Sequence, residues 1–281
     1  LKLSVVITTY NRPDYLELSL QSVLEQSEPA DEIIIVDDNS STDYKGVLAA
    51  FPSANVRYIK LEKSSGANAA RNRGVTLATG DVVAFLDDDD VWTNNYLAYH
   101  ALAYSDGADA VVSGFKHLGN ETQVRVNPGL KVTKSSLVKG NKYCGMSGFS
   151  CKRELLLANE FDISLNNGQD WDMYVRLYLQ RINFVNIPAA VFLYRFQNAD
   201  GIGAKLRKLK PSDIETRLGS ARKHREFLGE YWFKQRVAEQ LLVSLSHRGN
   251  KISWVVKSLE MIGFKSTFQF FLRTAKRKLR R

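Results

Sequence analysis

Cysteine is nearly absent from this 281-residue chain: only Cys144 and Cys151 occur, with no Cys or His companions at metal-ligand spacing. A disulfide framework and a zinc site are thereby excluded, and the two thiols read as reduced residues of a cytosolic protein. No apolar run reaches the roughly 20 residues that span a bilayer. The N-terminal run from Leu3 to Thr9 is too short for a signal peptide and lacks a cleavage site. Neither a repeat period nor a low-complexity stretch appears. A glycine-rich, basic loop is also missing after the first apolar strand, where Thr8-Thr9-Tyr10-Asn11-Arg12-Pro13 stands instead. That absence speaks against a nucleotidyltransferase, which would need such a loop to hold a triphosphate.

What the chain does have is a core and an uneven charge. Its hydrophobic content is 44%, enough for one large domain or one domain and an extension. From Lys205 to Arg281 there are 20 Lys+Arg against 6 Asp+Glu, a net +14, whereas residues 1–204 carry a net −5. The expected division is a catalytic or binding body over 1–204 and a basic helical extension over 205–281.

Strand and helix patterns alternate through the first hundred residues. Leu3–Thr8, Ile33–Val36, Val56–Leu61 and Val82–Leu86 read as strands. The helix beginning near Asp14 turns Leu16, Leu20, Val23 and Leu24 inward. The helix opened by Gly66 has a small inner face of Ala70, Gly74, Leu77 and Ala78, and a further helix places Tyr96, Leu97, Ala101 and Tyr104 inward. A fifth strand is expected at Ala110–Phe115, a loop or hairpin over 119–145, helices from Lys152 and from Asp170, and two short strands near Phe184 and Val191. Ser212 and Glu215 read as a capping box after Pro211, opening a helical tail. The fold class is α/β, a Rossmann-like and mostly parallel sheet flanked by helices, with ligands beyond the carboxyl ends of the strands.

Polar segments gather at those strand ends: Thr8 to Arg12, Asp37-Asp38, Ser64 to Asn68, and Asp87 to Asp90. Four adjacent carboxylates repel one another unless a cation sits among them, and hard Mg²⁺ or Mn²⁺ prefers such oxygen ligands. The alternative is a solvated acidic turn that caps the next helix. Asp37 and Asp38 either cap a turn or accept hydrogen bonds from a base or ribose. Tyr10 either packs or offers its ring to a base. Arg71 and Arg73 stand near a helix start that favours anions, or are solvated.

Thr-Thr-Tyr-Asn-Arg after the first strand, Val-Asp-Asp-Asn-Ser-Ser-Thr-Asp after the second, Ala70-Arg71-Asn72-Arg73-Gly74, and Phe-Leu-Asp-Asp-Asp-Asp-Val-Trp together resemble the family-two glycosyltransferases. These are inverting enzymes of the GT-A fold, and the resemblance covers roughly residues 1–200. It implies a nucleotide-sugar donor, most often UDP-linked, with Mn²⁺ or Mg²⁺. Carried onto this sequence, Thr8, Tyr10 and Asp38 would line the nucleoside pocket and Asp37 would lie beside it. Asp87 and Asp88 would contact ribose, Asp89 would bind the metal, and Arg71 would lie near the pyrophosphate.

Inverting transfer also needs a carboxylate to take the acceptor's proton. In Gly168-Gln169-Asp170-Trp171-Asp172 the family's base falls at Asp170, with Gln169 replacing the usual Glu. Read without the family, Asp170 is a helix cap. Relatives often carry Arg-x-His on the closing loop. Here Arg195-Phe196-Gln197 keeps the Arg and lacks the His, so no histidine is assigned to the metal.

In the tail, Phe264, Phe268, Phe271, Leu272, Ala275 and Leu279 share one helical face among Lys265, Arg273, Lys276, Arg277, Lys278, Arg280 and Arg281. Such a helix over 264–281 lies on an anionic membrane surface or packs on the domain. No nucleic-acid module accompanies the charge. The expected protein is thus a cytoplasmic enzyme, peripheral on the inner face of the membrane. It would move sugar to a saccharide or lipid-linked saccharide in bacterial surface polysaccharide or lipopolysaccharide synthesis. The rival outside enzymology is a nucleotide-sugar-binding scaffold without catalysis.

Overall fold

A computed structural model of the chain describes residues 1–52, 55–196, 209–243, 245 and 250–279, with the side chains of 276–279 excepted. Contacts divide it into two compact units. The first comprises Leu1–Leu137, Asn141–Ile163 and Met173–Phe196. The second takes Val138–Gly140, Ser164–Asp172 and the described residues after Gln197. The boundary expected at 204 falls outside the described residues, and 138–140 and 164–172 group with the tail.

The first unit is a nine-stranded sheet with helices against it. Strand β1 (Leu3–Thr9) is buried along its whole length. It is followed by α1 (Pro13–Leu24), β2 (Glu32–Asp37), α2 (Lys45–Ala50), β3 (Val56–Lys60), α3 (Ala67–Leu77) and β4 (Val82–Asp87). The runs Val5-Val6-Ile7, Ile33-Ile34-Ile35-Val36 and Val82-Val83 are β-branched and buried, as strands covered on both faces must be. β3, β2, β1 and β4 are adjacent and parallel, the α/β arrangement expected of the sequence. α3 lies close on the sheet because Gly74 has no side chain. A Cβ there would stand 2.4 Å from Cγ1 of the buried Val6.

The second half of the unit contains β5 (Val91–Trp92), α4 (Tyr96–Ser105), β6 (Ala110–His117), β7 (Asn120–Arg125), α5 (Lys134–Leu137), β8 (Phe149–Lys152), α6 (Arg153–Ala158), α7 (Gln169–Leu179) and β9 (Phe184–Tyr194). The first turn of α7 is grouped with the second unit. Here the sheet departs from the expectations. β8, unexpected as a strand, runs antiparallel between β4 and β6. The two short strands expected near Phe184 and Val191 are one, β9, parallel to β6. Its register shifts between Ile187 and Phe192, where Pro188 has no N–H to give the ladder. On α4 the buried face is Tyr96, Leu97, His100 and Tyr104; Ala101, expected inward, is only partly buried.

In the second unit, α8 (Gly219–Lys223), α9 (Arg225–Leu242) and α10 (Lys251–Leu279) follow a 3₁₀ turn at Pro211–Arg217. The Ser212–Glu215 capping box does not form: Ser212 Oγ donates to Asp213 instead. Leu228, Phe233, Val237, Leu241, Trp254, Ile262 and Phe270 are among its buried apolar residues. α10 kinks at Gly263 (φ 78°), where Ser258 and Thr267 hydroxyls meet at 2.8 Å across the bend.

Candidate active site

Parallel pairing aligns the loops that follow β1, β2 and β4. Thr8 pairs with Asp87, and Thr9 with Asp37, so all three chains leave the sheet side by side. The loop after β1 is then pinned to its neighbours. Asn11 sits in the left-handed region (φ 54°). Its Oδ1 accepts from the backbone N–H groups of Ser41 and Thr42, and its own N–H donates to Ser40 Oγ.

The two aspartates after β2 serve that scaffold. Asp37 is fully buried and accepts from Ser40 N–H, Ser40 Oγ and Tyr58 Oη. Its carboxylate ties β3 to the loop from a fully buried position. Asp38 accepts from Ser64 Oγ and from the N–H groups of Ser65 and Gly66, at 2.7–2.9 Å. It thereby anchors the turn into α3. Tyr10 is 49% exposed, and its ring is open for stacking.

Each member of the aspartate cluster has a distinct environment. Asp87 accepts from Arg71 Nη2 at 2.6 Å, and Thr8 Oγ1 stands 3.5 Å from the same oxygen. Arg71 itself is buried, is held by Asn68, and has an Nε with no protein partner. Asp88 accepts from Thr9 Oγ1 at 2.8 Å, from Tyr10 N–H at 3.3 Å and from Arg12 Nη1 at 3.2 Å. Burial, opposed by Arg12 and reinforced by Asp89, pushes its carboxyl up to about 6. Asp89 pairs with the same Arg12 nitrogen at 3.1 Å. Asp90 is buried under Ser147 Oγ and Arg195 N–H at 2.6 and 2.9 Å; burial, then the charge of Asp89, raises its carboxyl well above the ordinary range.

Expectation had a divalent cation relieving the repulsion among these carboxylates. In the structure, Arg12 and Arg71 already supply positive charge at three of the four, and burial with hydrogen bonds holds the last. Among the described residues no group of three or more His, Cys, Asp or Glu forms a metal cage. The donors do fit Mg²⁺ or Mn²⁺ bound in another way. A partly exposed carboxylate such as Asp89, joined by diphosphate oxygens and water, is how these ions are commonly held with nucleotides.

Arg12, Ser147 and Arg195 escaped sequence reasoning as partners of this cluster. Arg12 lies inside a quoted motif and could have been found there, whereas Ser147 had no signal at all. Arg195 contributes its backbone N–H to Asp90 and its Nε to the Asp89 carbonyl; Gln197 lies outside the described residues.

Asp170 stands in the first turn of α7, grouped with the second unit. Its Oδ1 accepts from the N–H of Trp171 at 2.8 Å, so the capping role read from sequence is realised in part. The surroundings of this turn are firm. Asp172 is buried and meets His224 Nε2 at 2.7 Å and Lys223 Nζ at 3.0 Å. The guanidinium of Arg236 lies 4.3 Å from the Trp171 ring centre. Gly168 enters the helix at φ 70°, and a Cβ there would meet Ser220 Oγ at 2.6 Å.

Comparison with known proteins bears on the whole chain. The uncharacterized glycosyltransferase YwdF of Bacillus subtilis is 31% identical over 71% of this chain and 76% of its own length. An Escherichia coli enzyme, WfgD, named a UDP-Glc:alpha-D-GlcNAc-diphosphoundecaprenol beta-1,3-glucosyltransferase, is 25% identical over 74% of this chain and 82% of its own. In structure, S. aureus TarS 1-349 in complex with UDP-GlcNAc superposes with a TM-score of 0.68 over 92% of this chain and 79% of that one, at 21% identity. Mannosyltransferase PcManGT of Pyrobaculum calidifontis, in complex with GDP-Man and Mn²⁺, gives 0.62 over 98% and 79%, at 17% identity. The sequence profile of Glycosyl transferase family 2 matches residues 4–153. With that match over the strands and loops just described, the chain belongs to glycosyl transferase family 2 and is a glycosyltransferase of the GT-A type.

Proposed function

We propose that this enzyme transfers a sugar, with inversion, from a UDP-sugar to a saccharide or lipid-linked saccharide in the synthesis of a bacterial surface polysaccharide. The observation that carries the reading is the pairing of Arg71 with Asp87 beside a partly exposed Asp89, an arrangement suited to a diphosphate and its metal. Relatives point the same way: WfgD and a Campylobacter jejuni enzyme, 28% identical over 72% of this chain, are named for undecaprenol-linked acceptors.

In this reading Asp38 and Tyr10 hold the nucleoside and Thr8, Asp87 and Asp88 fix the ribose side. Arg71 faces the pyrophosphate, with its unpartnered Nε as a further donor. Mg²⁺ or Mn²⁺ on Asp89, when bound, neutralises the departing diphosphate. The acceptor hydroxyl oxygen bonds to the anomeric carbon as the carbon–phosphate-oxygen bond breaks, and the hydroxyl proton passes to the Asp170 carboxylate. The exposed Phe264 and Phe268 of α10, with Lys265 and Arg273, suit an anionic lipid surface on the inner face of the membrane, where such acceptors are held. Among the described residues no helix is long and apolar enough to cross a membrane.

The test is a panel of UDP-, GDP- and dTDP-sugars scored by thermal stabilisation with Mn²⁺, followed by transfer to an undecaprenyl-diphosphate saccharide and assignment of the product anomer. UDP should bind tightly with Mn²⁺ and weakly in EDTA, and Asp89→Asn should erase the difference while leaving the fold intact. Equal UDP affinity with and without metal would remove Asp89 from the metal's coordination. A product retaining the donor's anomeric configuration would remove Asp170 as the base of a direct displacement.

A further inference from the structure

We propose that Arg236 and Arg217 form an anion subsite beside Asp170 that takes the diphosphate of a lipid-linked acceptor. The proposal rests on the readings given above of Asp170 as the base and of the acceptor as a lipid-linked saccharide.

Two arginines of the second unit are short of acidic partners. The side chain of Arg236, on α9, is 17% exposed, and its guanidinium carbon stands 4.3 Å from the centre of the Trp171 ring. Gly140 also lies against it, since a Cβ there would be 2.9 Å from Arg236 Nη1. The acid it meets is Glu239 at 4.0 Å, the limit of an ion pair. Among the described residues no oxygen accepts a hydrogen bond from this guanidinium. Its five N–H donors are thus left for a ligand arriving from solvent.

Arg217, in the 3₁₀ turn, donates to Asn167 Oδ1 at 2.8 Å and to Gln240 Oε1 at 3.1 Å, both neutral. No acid pairs with it among the described residues, and burial lowers it below the ordinary arginine value. Gln240 lies one turn beyond Arg236 on α9, and Asn167 lies four residues before Trp171. Both arginines therefore join the same two segments, α9 and residues 167–171. Asp170 belongs to the second of these. Burial works against the charge of Arg236, while Glu239 and then Asp170 work for it, Asp170 from beyond ion-pair distance.

A guanidinium drawn partly out of water costs free energy unless an anion meets it. Phosphate suits it well, because the planar fork matches two phosphate oxygens at once and an aromatic ring beneath the fork fixes its plane. In a saccharide linked to a lipid diphosphate, at least one sugar ring separates the phosphate from the hydroxyl that loses its proton. An acceptor held by its diphosphate at Arg236 and Arg217 presents that hydroxyl to Asp170 without pressing phosphate against carboxylate. The donor's diphosphate has other residues to meet it, Arg71 and Asp89 of the first unit.

Geranyl diphosphate, a short and soluble lipid diphosphate, tests the site by calorimetric titration in EDTA, with geraniol as the uncharged control. The unaltered protein should bind the diphosphate and not geraniol. Arg236→Gln and Arg217→Gln should each weaken binding by about tenfold or more, the worth of a hydrogen bond to a charged group. Unchanged affinity in either variant overturns the proposal, as does equal affinity for geraniol. UDP should not compete. Displacement by UDP would mean that the donor site had taken the diphosphate, and overturns it too. Where a glutamine variant does not fold, modification of the unaltered protein by phenylglyoxal decides. Geranyl diphosphate should protect Arg236, located by peptide mass, and geraniol should not; equal labelling with and without the diphosphate overturns the subsite.

Turnover separates the subsite from the readings beneath it. With an undecaprenyl-diphosphate saccharide, Arg236→Gln should raise the acceptor KM and leave donor affinity as it was. A fall in kcat at constant KM would assign Arg236 to Asp170 instead of the acceptor, and overturns the proposal. An enzyme that uses only phosphate-free acceptors fails the lipid-linked reading along with the subsite, whereas a normal acceptor KM in Arg236→Gln fails the subsite alone.

Discussion

Asp170 and Asp172 lie on one helix turn, and the same substitution should affect them in different ways. Asp170→Asn keeps the size and much of the capping but cannot take a proton. Turnover should fall by about 10²-fold or more, with donor affinity nearly unchanged. Asp172 is buried against His224 and Lys223. Asp172→Asn removes the negative member of that group, which should lower stability by roughly 3 kcal/mol, the low end for breaking a buried ion pair. Single-turnover transfer beside urea unfolding separates the two. A catalytic defect confined to Asp172→Asn, in a stable protein, would move the base two residues along. The Asp-rich turn and Asp170 were legible because each is a short local motif. Arg12, Ser147 and Arg195 were not, since their partners stand 76, 57 and 105 residues away in sequence. Only the sheet's pairing brings them together. Asp37 shows the converse: its motif is legible, but the structural task given it by Tyr58 and Ser40 is not.

At the scale of elements, α3 and α4 each carry a prediction. Gly74 is where α3 meets β1, and the atom in the way of a Cβ belongs to a stiff, buried valine. Gly74→Ala should cost roughly 1–3 kcal/mol of stability. Gly46→Ala in α2, where nothing lies within 4 Å, should be neutral or raise stability by about 0.5 kcal/mol or more. Urea unfolding of the pair checks the contrast, and equal effects would mean that α3 does not lie so close. Trp92 of β5 stacks on Tyr96 of α4 at 3.8 Å, and Tyr96 on His100 at 4.0 Å. His100 Nδ1 meets Ser150 Oγ, and burial lowers the imidazole to about 3. The unfolded chain therefore binds a proton below about pH 6.5 that the folded chain refuses. Stability from this group is complete above that pH and is lost as pH falls towards 3. The loss is on the order of 3 kcal/mol by pH 4.5, two units below the unfolded value. His100→Gln should flatten the stability profile over that interval; an unchanged slope would exclude His100 as a source of acid sensitivity. The helix itself was legible from its apolar period. His100 was not, because a titratable residue on the inner face is invisible to a hydrophobic pattern. β8 was missed for its length of four residues, too short for alternation to register.

For the whole molecule, the contrast between an acidic body and a basic tail organises the prediction. Phe264 and Phe268 are 74% and 51% exposed and stack on each other at 5.8 Å, while Thr267 and Phe270 on the same helix are buried. Removing residues 264–281 would therefore also strip the core of the second unit. Phe264→Ser with Phe268→Ser is the cleaner test. Binding to phosphatidylserine or phosphatidylglycerol vesicles should fall at least tenfold and the melting temperature should hold. Binding of the unaltered protein should weaken with salt. Vesicle affinity unchanged by the pair would leave α10 without a membrane role. The basic residues Lys276, Arg277, Lys278, Arg280 and Arg281, counted in the sequence for this face, lie outside the described side chains.

The grouping of 164–172 with the C-terminal helices also decides where this protein can be recombined. The family profile ends at residue 153, and a natural impulse is to exchange the tail between relatives by joining chains near residue 204. That junction would leave Asp172 facing a foreign residue in place of His224, Trp171 without the guanidinium of Arg236, and Gly168 without Ser220. An exchange that keeps those contacts has to carry the segment 164–172 along with the tail. The second unit is thus discontinuous in sequence, and a single crossover cannot move it whole.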